Sequence, residues 1–360
     1  MHDSKTTVLV RSDYIILVGS IAAIILAGVT RYAGSGSVLA FICSAIAVAL
    51  LAALVGRSVE QLGDRFGPGA TGVLQSALGN LPELFIALFA LKAGLLEVVQ
   101  AAIIGSILAN LLLVLGLCFL FGGLKHGTQK LDSDRARAIT VLMVLSVAAL
   151  VLPSLASYVH TPASTHEDAL SIITAVILLV LFLLTLPASL KRGNTGLSAE
   201  EKGGSKPRWP ASLAVILLVL AAGGAAFVSD WFVHALEPAM AALHISDAFA
   251  GLVIIAIAGN AIENVVGLQL ALKNQSKFAF AVVINSPLQI ALVLAPLLVI
   301  LSALLGYTPF TLVFSPMLVV SVAIAVIMTA FITFDGESNW IEGAALIAVY
   351  AIIATSFWWG

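Results

Sequence analysis

The stretch "GNLPE", residues 79–83, places an asparagine, a proline and a glutamate inside a long apolar run. Asn80 and Glu83 are three positions apart, so on a helix they share a face. A carboxylate in such a run is costly, and it usually faces a bundle interior or a watery cavity on an ion or proton path. Pro82 has no N–H and leaves the carbonyl of Leu78 without its usual helical donor. The stretch therefore predicts a broken helix that presents oxygen atoms to a cation.

A second copy of this pattern follows after 180 residues. The stretch "GNAIE", residues 259–263, repeats Gly79 and its asparagine and glutamate as Gly259, Asn260 and Glu263. One Gly-Asn-x-x-Glu is a weak signal, but its repetition predicts an internal duplication. Carboxylates, amide oxygens and freed carbonyls are hard oxygen ligands that suit a cation such as Ca²⁺.

Each copy is followed by a second polar stretch at equal spacing. "GSILAN" contains Ser106 and Asn110, and "NSPLQ" contains Ser286 and Gln289. Each of the two serines lies 23 residues after the glutamate of its own copy. Pro287 removes a second helical N–H and predicts another interruption.

The composition identifies the surroundings of these motifs as a membrane. Of 360 residues, 61% are hydrophobic and 10% are charged, whereas soluble domains carry about 25% charge. Several apolar runs reach about 20 residues, the length that spans a bilayer. We therefore predict an all-α polytopic membrane protein and exclude a water-soluble fold. Hydropathy and turn residues predict eleven helices, near 13–30, 38–64, 70–92, 96–122, 136–156, 167–190, 210–236, 247–272, 277–304, 311–333 and 340–358.

The basic residues predict the orientation of these helices. With a cytoplasmic N-terminus, 15 of the 17 Lys and Arg residues fall in inside segments and 2 fall outside. This split predicts a cytoplasmic N-terminus and an extracytoplasmic C-terminus. The two glutamate motifs are five helices apart, so they enter the membrane in opposite directions, as in transporters with inverted repeats. We expect the protein in the plasma membrane, the inner membrane of the cell.

The paired motifs, "GSILANLLLVLG", "SPLQIALVLAPLLV" and "DGESNWIEGAALIAVYAI" resemble calcium/proton antiporters of the cation/calcium exchanger superfamily. The resemblance covers most of residues 50–358. It implies two inverted five-helix halves after an extra N-terminal helix. It also implies that Glu83 and Glu263 bind the cation and exchange it for protons. The residues that it implies as lining the site are Asn80, Asn260, Ser106, Asn110, Ser286 and Gln289.

The chain departs from this family's pattern in its second repeat. Asn264 follows the glutamate where the family commonly has histidine, and Asn285-Ser286-Pro287 replaces a glycine followed by small hydroxyl residues. These departures bear on ion selectivity. The sequence predicts four parts: an N-terminal segment with the extra helix at 1–34, a first half at 35–190, a cytoplasmic linker at 191–208 and a second half at 209–360.

The expected function is secondary antiport of a cation, Ca²⁺ first, against protons. Two carboxylates can be neutralised by one divalent cation or by two protons, so the two occupants exclude each other. Sodium-coupled relatives tend to have further acidic groups in the second polar stretch, so the resemblance, with neutral Asn110 and Gln289 here, favours proton over sodium as counter-ion. We expect no cofactor and no nucleic-acid partner. The substrate is an inorganic cation, the surroundings are lipid, and a homo-oligomer is left open.

Other interpretations of the same residues stay open at this stage. A sodium/calcium or other cation exchanger of the same superfamily is the main alternative. An intramembrane enzyme with paired carboxylates is disfavoured because no HExxH or GxSxG motif is present. The glutamates could be protonated packing groups, the asparagines could bond between helices, and the serines could bond back to their own helices.

Overall fold

The computed structural model describes residues 9–63, 65, 74, 78–131, 133–195 and 208–359, and these are almost entirely helical. Two short strands, β1 (Gln129–Lys130) and β2 (Glu337–Ser338), and short turns and loops connect the helices within this part of the chain. The helices are α1 (Arg11–Tyr32), α2 (Ser37–Gly63), α3 (Leu81–Lys92), α4 (Leu96–His126), α5 (Ser133–Tyr158), α6 (Glu167–Thr195), α7 (Ala211–Leu243), α8 (Asp247–Gly259), α9 (Ala261–Leu272), α10 (Ser276–Leu305), α11 (Pro316–Thr333) and α12 (Trp340–Ser356).

The prediction of a helical polytopic membrane protein is confirmed. Within the described residues, 8 helices are long and apolar enough to cross a membrane, and α8 with α9 forms a ninth, bent span. The remaining predicted spans coincide with α12, a shorter apolar helix, and with α3, which begins at Leu81 after a stretch largely outside the described residues. Large apolar side chains such as Ile173, Ile177 and Leu184 are exposed along α6, as expected for a helix that faces lipid.

The chain divides into two compact units. The first contains the described parts of Met1–Phe89 and Phe182–Leu243, and the second contains Ala90–Leu181 and His244–Gly360. In the first unit, α2 packs along α7 and α1 packs along α2. Helix α6 continues to Thr195, five residues into the predicted linker. Residues 196–207 of that linker lie outside the described part of the chain.

A buried carboxylate ties the start of α1 to α2 and to the residues before α7, all within the first unit. Asp13 is 1% exposed and pairs with Arg57 Nε at 3.1 Å. Trp209 Nε1 donates to Asp13 Oδ2 at 3.1 Å, and Gln61 Oε1 accepts from the backbone N–H of Trp209 at 3.2 Å. A charge at this depth requires such partners, and they hold these helix ends together.

One end of the second unit gathers the loops after α4, α9 and α11. The two strands pair antiparallel, with Gln129 opposite Ser338. Ser276 Oγ donates to the carbonyl of Lys130 at 2.9 Å, and Lys125 Nζ donates to the carbonyl of Leu272 at 2.9 Å. An even number of predicted spans separates these loops from one another, so the predicted helix order requires them to lie on one side of the membrane.

Helix α11 begins later than predicted. The sequence places a helix over 311–333, but the helix begins at Pro316 and the residues before it are extended. Side chains of neighbouring helices satisfy this backbone: Ser154 Oγ donates to the carbonyl of Leu312 at 3.0 Å and accepts from the N–H of Phe314 at 2.9 Å. Pro316 at the first helical position fits a late start, because its missing N–H is not needed there.

Candidate cation-binding site

The second glutamate motif lies at a break between two helices. Helix α8 ends at Gly259, α9 begins at Ala261, and the two are bent by 60°. Between them Asn260 has φ −91° and ψ 22°, outside the helical range. Its backbone N–H donates to the carbonyl of Ala256 at 3.1 Å, and its carbonyl accepts from Asn264 N at 3.1 Å. The single helix predicted over 247–272 is therefore two helices.

A turn also precedes the first glutamate, in the first unit. Gly79 and Asn80 form a turn and α3 begins directly after them. The carbonyl of Asn80 accepts from Leu84 N at 3.0 Å, which is the counterpart, 180 residues earlier, of the bond at the second break. Pro82 is the second residue of α3, where a missing N–H costs little. Glu83 lies in the first turn of the same helix.

A proline does not cause both breaks. The position equivalent to Pro82 in the second copy is Ile262, and that helix breaks all the same. The two breaks share the Gly-Asn pair. The helix also continues through Pro287, which lies inside Ser276–Gln289, so the predicted interruption there is absent.

Asn260 is the centre of a buried polar cluster in the second unit. Its Oδ1 accepts from Asn110 Nδ2 at 2.6 Å and from Ser286 Oγ at 3.2 Å, and its Nδ2 donates to the carbonyl of Ala256 at 2.7 Å. Asn110 Nδ2 also donates to the carbonyl of Ser106 at 2.9 Å. The cluster thus joins α8, α4 and α10, the helices that carry the polar stretches of both copies.

Three oxygen atoms in and beside this cluster receive no hydrogen bond. Within the described part of the chain, Asn110 Oδ1, Glu263 Oε2 and Asn264 Oδ1 are buried and have no hydrogen-bond partner. Each belongs to a residue that is bonded to Asn260 or follows it by three or four positions. All three are acceptors, so the cluster lacks donors or positive charge. A cation supplies the positive charge that such oxygens need.

Two glycines bring the helices close enough to form this cluster. A Cβ on Gly105 of α4 would lie 2.4 Å from the Cα of Leu252, and a Cβ on Gly251 of α8 would lie 2.3 Å from the carbonyl oxygen of Val98. Backbone-to-backbone contact of this kind is possible only where both helices have small residues at the crossing. The crossing sets the positions of Asn110 and Asn260.

Wider helical turns lie at the end of the second polar stretch in the first copy and directly after it in the second. Residues Ala109–Val114 of α4 and Ile290–Leu294 of α10 form π-helical turns. A third π-helical turn, Ala250–Ile255, lies just before the break in α8. Such turns are rare in proteins, and many of those that occur lie at functional sites. Here one such turn contains Asn110, one begins directly after Gln289, and one ends five residues before Asn260.

The predicted residues therefore divide between the two units. Gly79, Asn80, Pro82 and Glu83 belong to the first unit, where Asn80 Nδ2 is buried without a hydrogen-bond partner among the described residues. The predicted residues of the second unit are Ser106, Asn110, Gly259, Asn260, Glu263, Ser286, Pro287 and Gln289. Gln289 is 5% exposed but takes no part in the hydrogen bonds described above.

The set of residues predicted from the sequence does not include Asn264. It was singled out only for its departure from the family pattern, yet its Oδ1 is one of the three buried acceptors without a donor. Its position gives the signal that could have found it, because it follows Asn260 by four residues and thus lies one helical turn further on the same face.

Helices broken at duplicated Gly-Asn-x-x-Glu motifs, with buried oxygen atoms at the break, define a membrane transporter of the broken-helix class. The chain belongs to the sodium/calcium exchanger protein family, whose sequence profile matches residues 36–191 and again residues 213–359.

Curated relatives and solved structures agree with this membership. The chain is 35% identical over 340 residues to a Ca²⁺/H⁺ antiporter of Aphanothece halophytica, covering 88% of this chain and 89% of that protein. It is 36% identical over 326 residues to the Ca²⁺/H⁺ antiporter ChaA of Bacillus subtilis, covering 89% and 92%. The solved structure of native YfkE superposes with a TM-score of 0.81 at 32% identity, covering 96% of this chain and 99% of that one.

The glycine crossing gives a first prediction. Gly105→Ala places a methyl group against the backbone of Leu252, and we expect it to lower the thermal midpoint of the detergent-solubilised protein, consistent with an overpacking cost of about 1–3 kcal/mol. Gly223→Ala is the matched control, because Gly223 lies inside α7 with no atom within 4 Å of an added Cβ.

The control should raise the midpoint or leave it unchanged, since alanine favours a helix over glycine by about 0.8–1 kcal/mol. Equal midpoints for the two variants would show that the crossing tolerates a side chain and does not fix the polar cluster.

Proposed function

We propose that this protein is a secondary antiporter that exchanges Ca²⁺ for protons across the membrane by alternating access. The observation that carries the proposal is the set of buried oxygen acceptors without donors around Asn260. A bound cation satisfies such oxygens directly, and Ca²⁺ takes carboxylate, amide and carbonyl oxygens as ligands. The names of the Aphanothece halophytica and Bacillus subtilis relatives, both Ca²⁺/H⁺ antiporters, support the same choice of ions.

The two repeat glutamates have the central role in this proposal. Glu83 and Glu263 bind the cation as carboxylates and bind protons when the cation is absent. Burial disfavours the charged form of a carboxyl group and a nearby cation favours it, so cation and protons exclude each other. This exclusion couples the two fluxes. Neutral oxygen ligands complete the site, from Asn80, Asn260, Ser106, Ser286, Asn110 and Gln289.

The neutral side chains favour protons as the counter-ion. Asn110 and Gln289 stand in the second polar stretches, where further carboxylates would provide additional sites for sodium. Glu263 lies in the first turn of α9, three residues after Asn260, and brings a carboxylate to that break. A sodium/calcium exchanger remains the second candidate, because the matched family carries that description.

The proposal extends to the surroundings of the protein. The protein lies in the plasma membrane, the inner membrane of the cell, with its N-terminus cytoplasmic and its C-terminus extracytoplasmic. This orientation follows from the split of basic residues between inside and outside segments. Its substrate is an inorganic cation and its surroundings are membrane lipid. It needs no resident cofactor and no nucleic acid, and self-association is left open.

Transport in membrane vesicles tests the ion coupling. Vesicles that contain the wild-type protein should accumulate radioactive Ca²⁺ when a proton gradient is imposed. This uptake should stop when the gradient is collapsed. A sodium gradient without a proton gradient should not drive uptake. Glu83→Gln and Glu263→Gln should each abolish uptake while the protein still inserts and elutes as a single species, because each removes a charge and a proton-binding group. Uptake at the wild-type rate in either variant would show that its carboxylate only packs helices.

Reporter fusions test the orientation. A reporter fused after residue 360 should be extracytoplasmic, and a reporter inserted near residue 204 should be cytoplasmic, because an odd number of predicted helices separates the two positions. Alkaline phosphatase, active outside the cytoplasm, and a fluorescent protein that folds inside give opposite readouts at each position. Both positions on one side of the membrane would contradict the eleven-helix order.

A further inference from the structure

We infer that Lys125 is a positioning residue of the cation site and acts by fastening the far end of α9 to α4. Glu263 lies in the first turn of α9, and Leu272 is the last residue of that helix. A bond that holds Leu272 against α4 therefore also holds the direction of the helix that carries the carboxylate. The inference rests on the proposed cation transport and gives a role to a residue outside both repeat motifs.

The last carbonyl of α9 receives its hydrogen bonds from another helix. The last four carbonyls of a helix have no N–H partner within it. At this end, backbone N–H groups of residues 273–275 donate to the carbonyls of residues 269–271 at 2.9–3.2 Å. The fourth carbonyl, that of Leu272, accepts from Lys125 Nζ at 2.9 Å and from His126 Nε2 at 3.0 Å, both on α4. We call these two bonds the α9 cap.

The α9 cap places a positive charge at the carboxyl end of α9. The helix dipole makes that end partly negative, so a lysine ammonium is favoured there. A hydrogen bond from a charged donor is also shorter and stronger than one between neutral groups. Lys125 therefore holds the two helix ends together more firmly than an uncharged side chain of the same length would.

Helix α9 lies along α4 from the break to the α9 cap. At the break, Asn110 of α4 donates to Asn260 at 2.6 Å. Halfway along α9, a Cβ on Gly267 would lie 3.3 Å from Cys118 Sγ of α4. Helix α9 has 12 residues and is thus about 18 Å long. A short helix that is held at both ends keeps its first turn, with Glu263, in one direction.

The first repeat carries no such pair of donors. The positions equivalent to Lys125 and His126, 180 residues later, are Leu305 and Gly306 at the end of α10. Neither side chain has a hydrogen-bond donor. The α9 cap therefore acts on the carboxylate of the second copy alone.

Equilibrium binding of radioactive Ca²⁺ to the purified full-length protein tests this role. Lys125→Met keeps the length of the side chain and removes its donor and its charge. We expect Ca²⁺ binding to weaken about three- to tenfold, a range typical of residues that act on a site through packed elements, with the number of bound ions unchanged. Electrostatics alone predicts the opposite, because loss of a positive charge makes the protein more attractive to a cation. Lys125→Arg keeps a charged donor and should bind Ca²⁺ as the wild type does.

Lys273→Met is the matched control, because it removes the same charge from an exposed position directly after Leu272 and leaves the α9 cap in place. It should bind Ca²⁺ as tightly as the wild type or slightly more tightly. If Lys125→Met is not recovered as a folded protein, His126→Leu removes the other bond of the cap. That variant should also weaken Ca²⁺ binding, and the same criterion then applies to it.

Wild-type or tighter binding by Lys125→Met would overturn the positioning role. Weakened binding that Lys125→Arg does not restore, or that Lys273→Met shares, would overturn it as well. In each of these cases, binding that Glu263→Gln still abolishes would leave the proposed function intact. Absence of Ca²⁺ binding by the wild-type protein would overturn both.

Discussion

A buried oxygen that no donor reaches is the physical constraint on which this structure depends. Leaving such an acceptor unpaired costs about 1–3 kcal/mol, and more when it carries charge. Asn260 takes two donors from its neighbours, Asn110 and Ser286. The amide nitrogen of Asn110 donates to Asn260 and to the backbone carbonyl of Ser106. Under the proposed function, the alternating occupants of the transport site, cation and proton, satisfy the oxygens left over in turn.

The local geometry of the surrounding helices keeps the residues of this cluster in contact. Helix α8 stops at Gly259 so that Asn260 leaves the helical conformation, and α9 restarts at an angle of 60°. The glycine contacts between α4 and α8 remove the side chains that would hold the helices apart. The π-helical turns beside the polar residues change the direction of side chains without ending the helix. The break and the π-helical turns thus depart from regular α-helix geometry close to these oxygens.

Much of the architecture could be predicted from the sequence because it follows from local patterns. Long apolar runs identify helices in a bilayer, and the repeated Gly-Asn-x-x-Glu identified where a helix breaks. The cause of the break was only half predicted. Proline was given that role, but the second break has Ile262 at the equivalent position, and Pro287 sits within a continuous helix. Helix α10 continues through Pro287 despite its missing N–H, and the sequence alone does not show this.

The remaining features depend on contacts between distant parts of the chain. The bond between Asn110 and Asn260 joins residues 150 positions apart, and no spacing rule predicts which amide oxygen it leaves without a donor. The extended residues before Pro316 depend on hydroxyl groups such as that of Ser154 on another helix. Asn264 was visible only as a departure from a pattern, and its buried oxygen became evident from the folded structure.

The most direct test of the central claim is the release of protons when Ca²⁺ binds. Purified protein in weakly buffered solution with a pH indicator should acidify the medium when Ca²⁺ is added, because the cation displaces protons from the carboxyl groups. The release should be larger at mildly acidic than at alkaline pH, and Glu263→Gln should remove it. Saturable binding of Ca²⁺ with no proton release at either pH would contradict the account, since cation and proton would then not share a site.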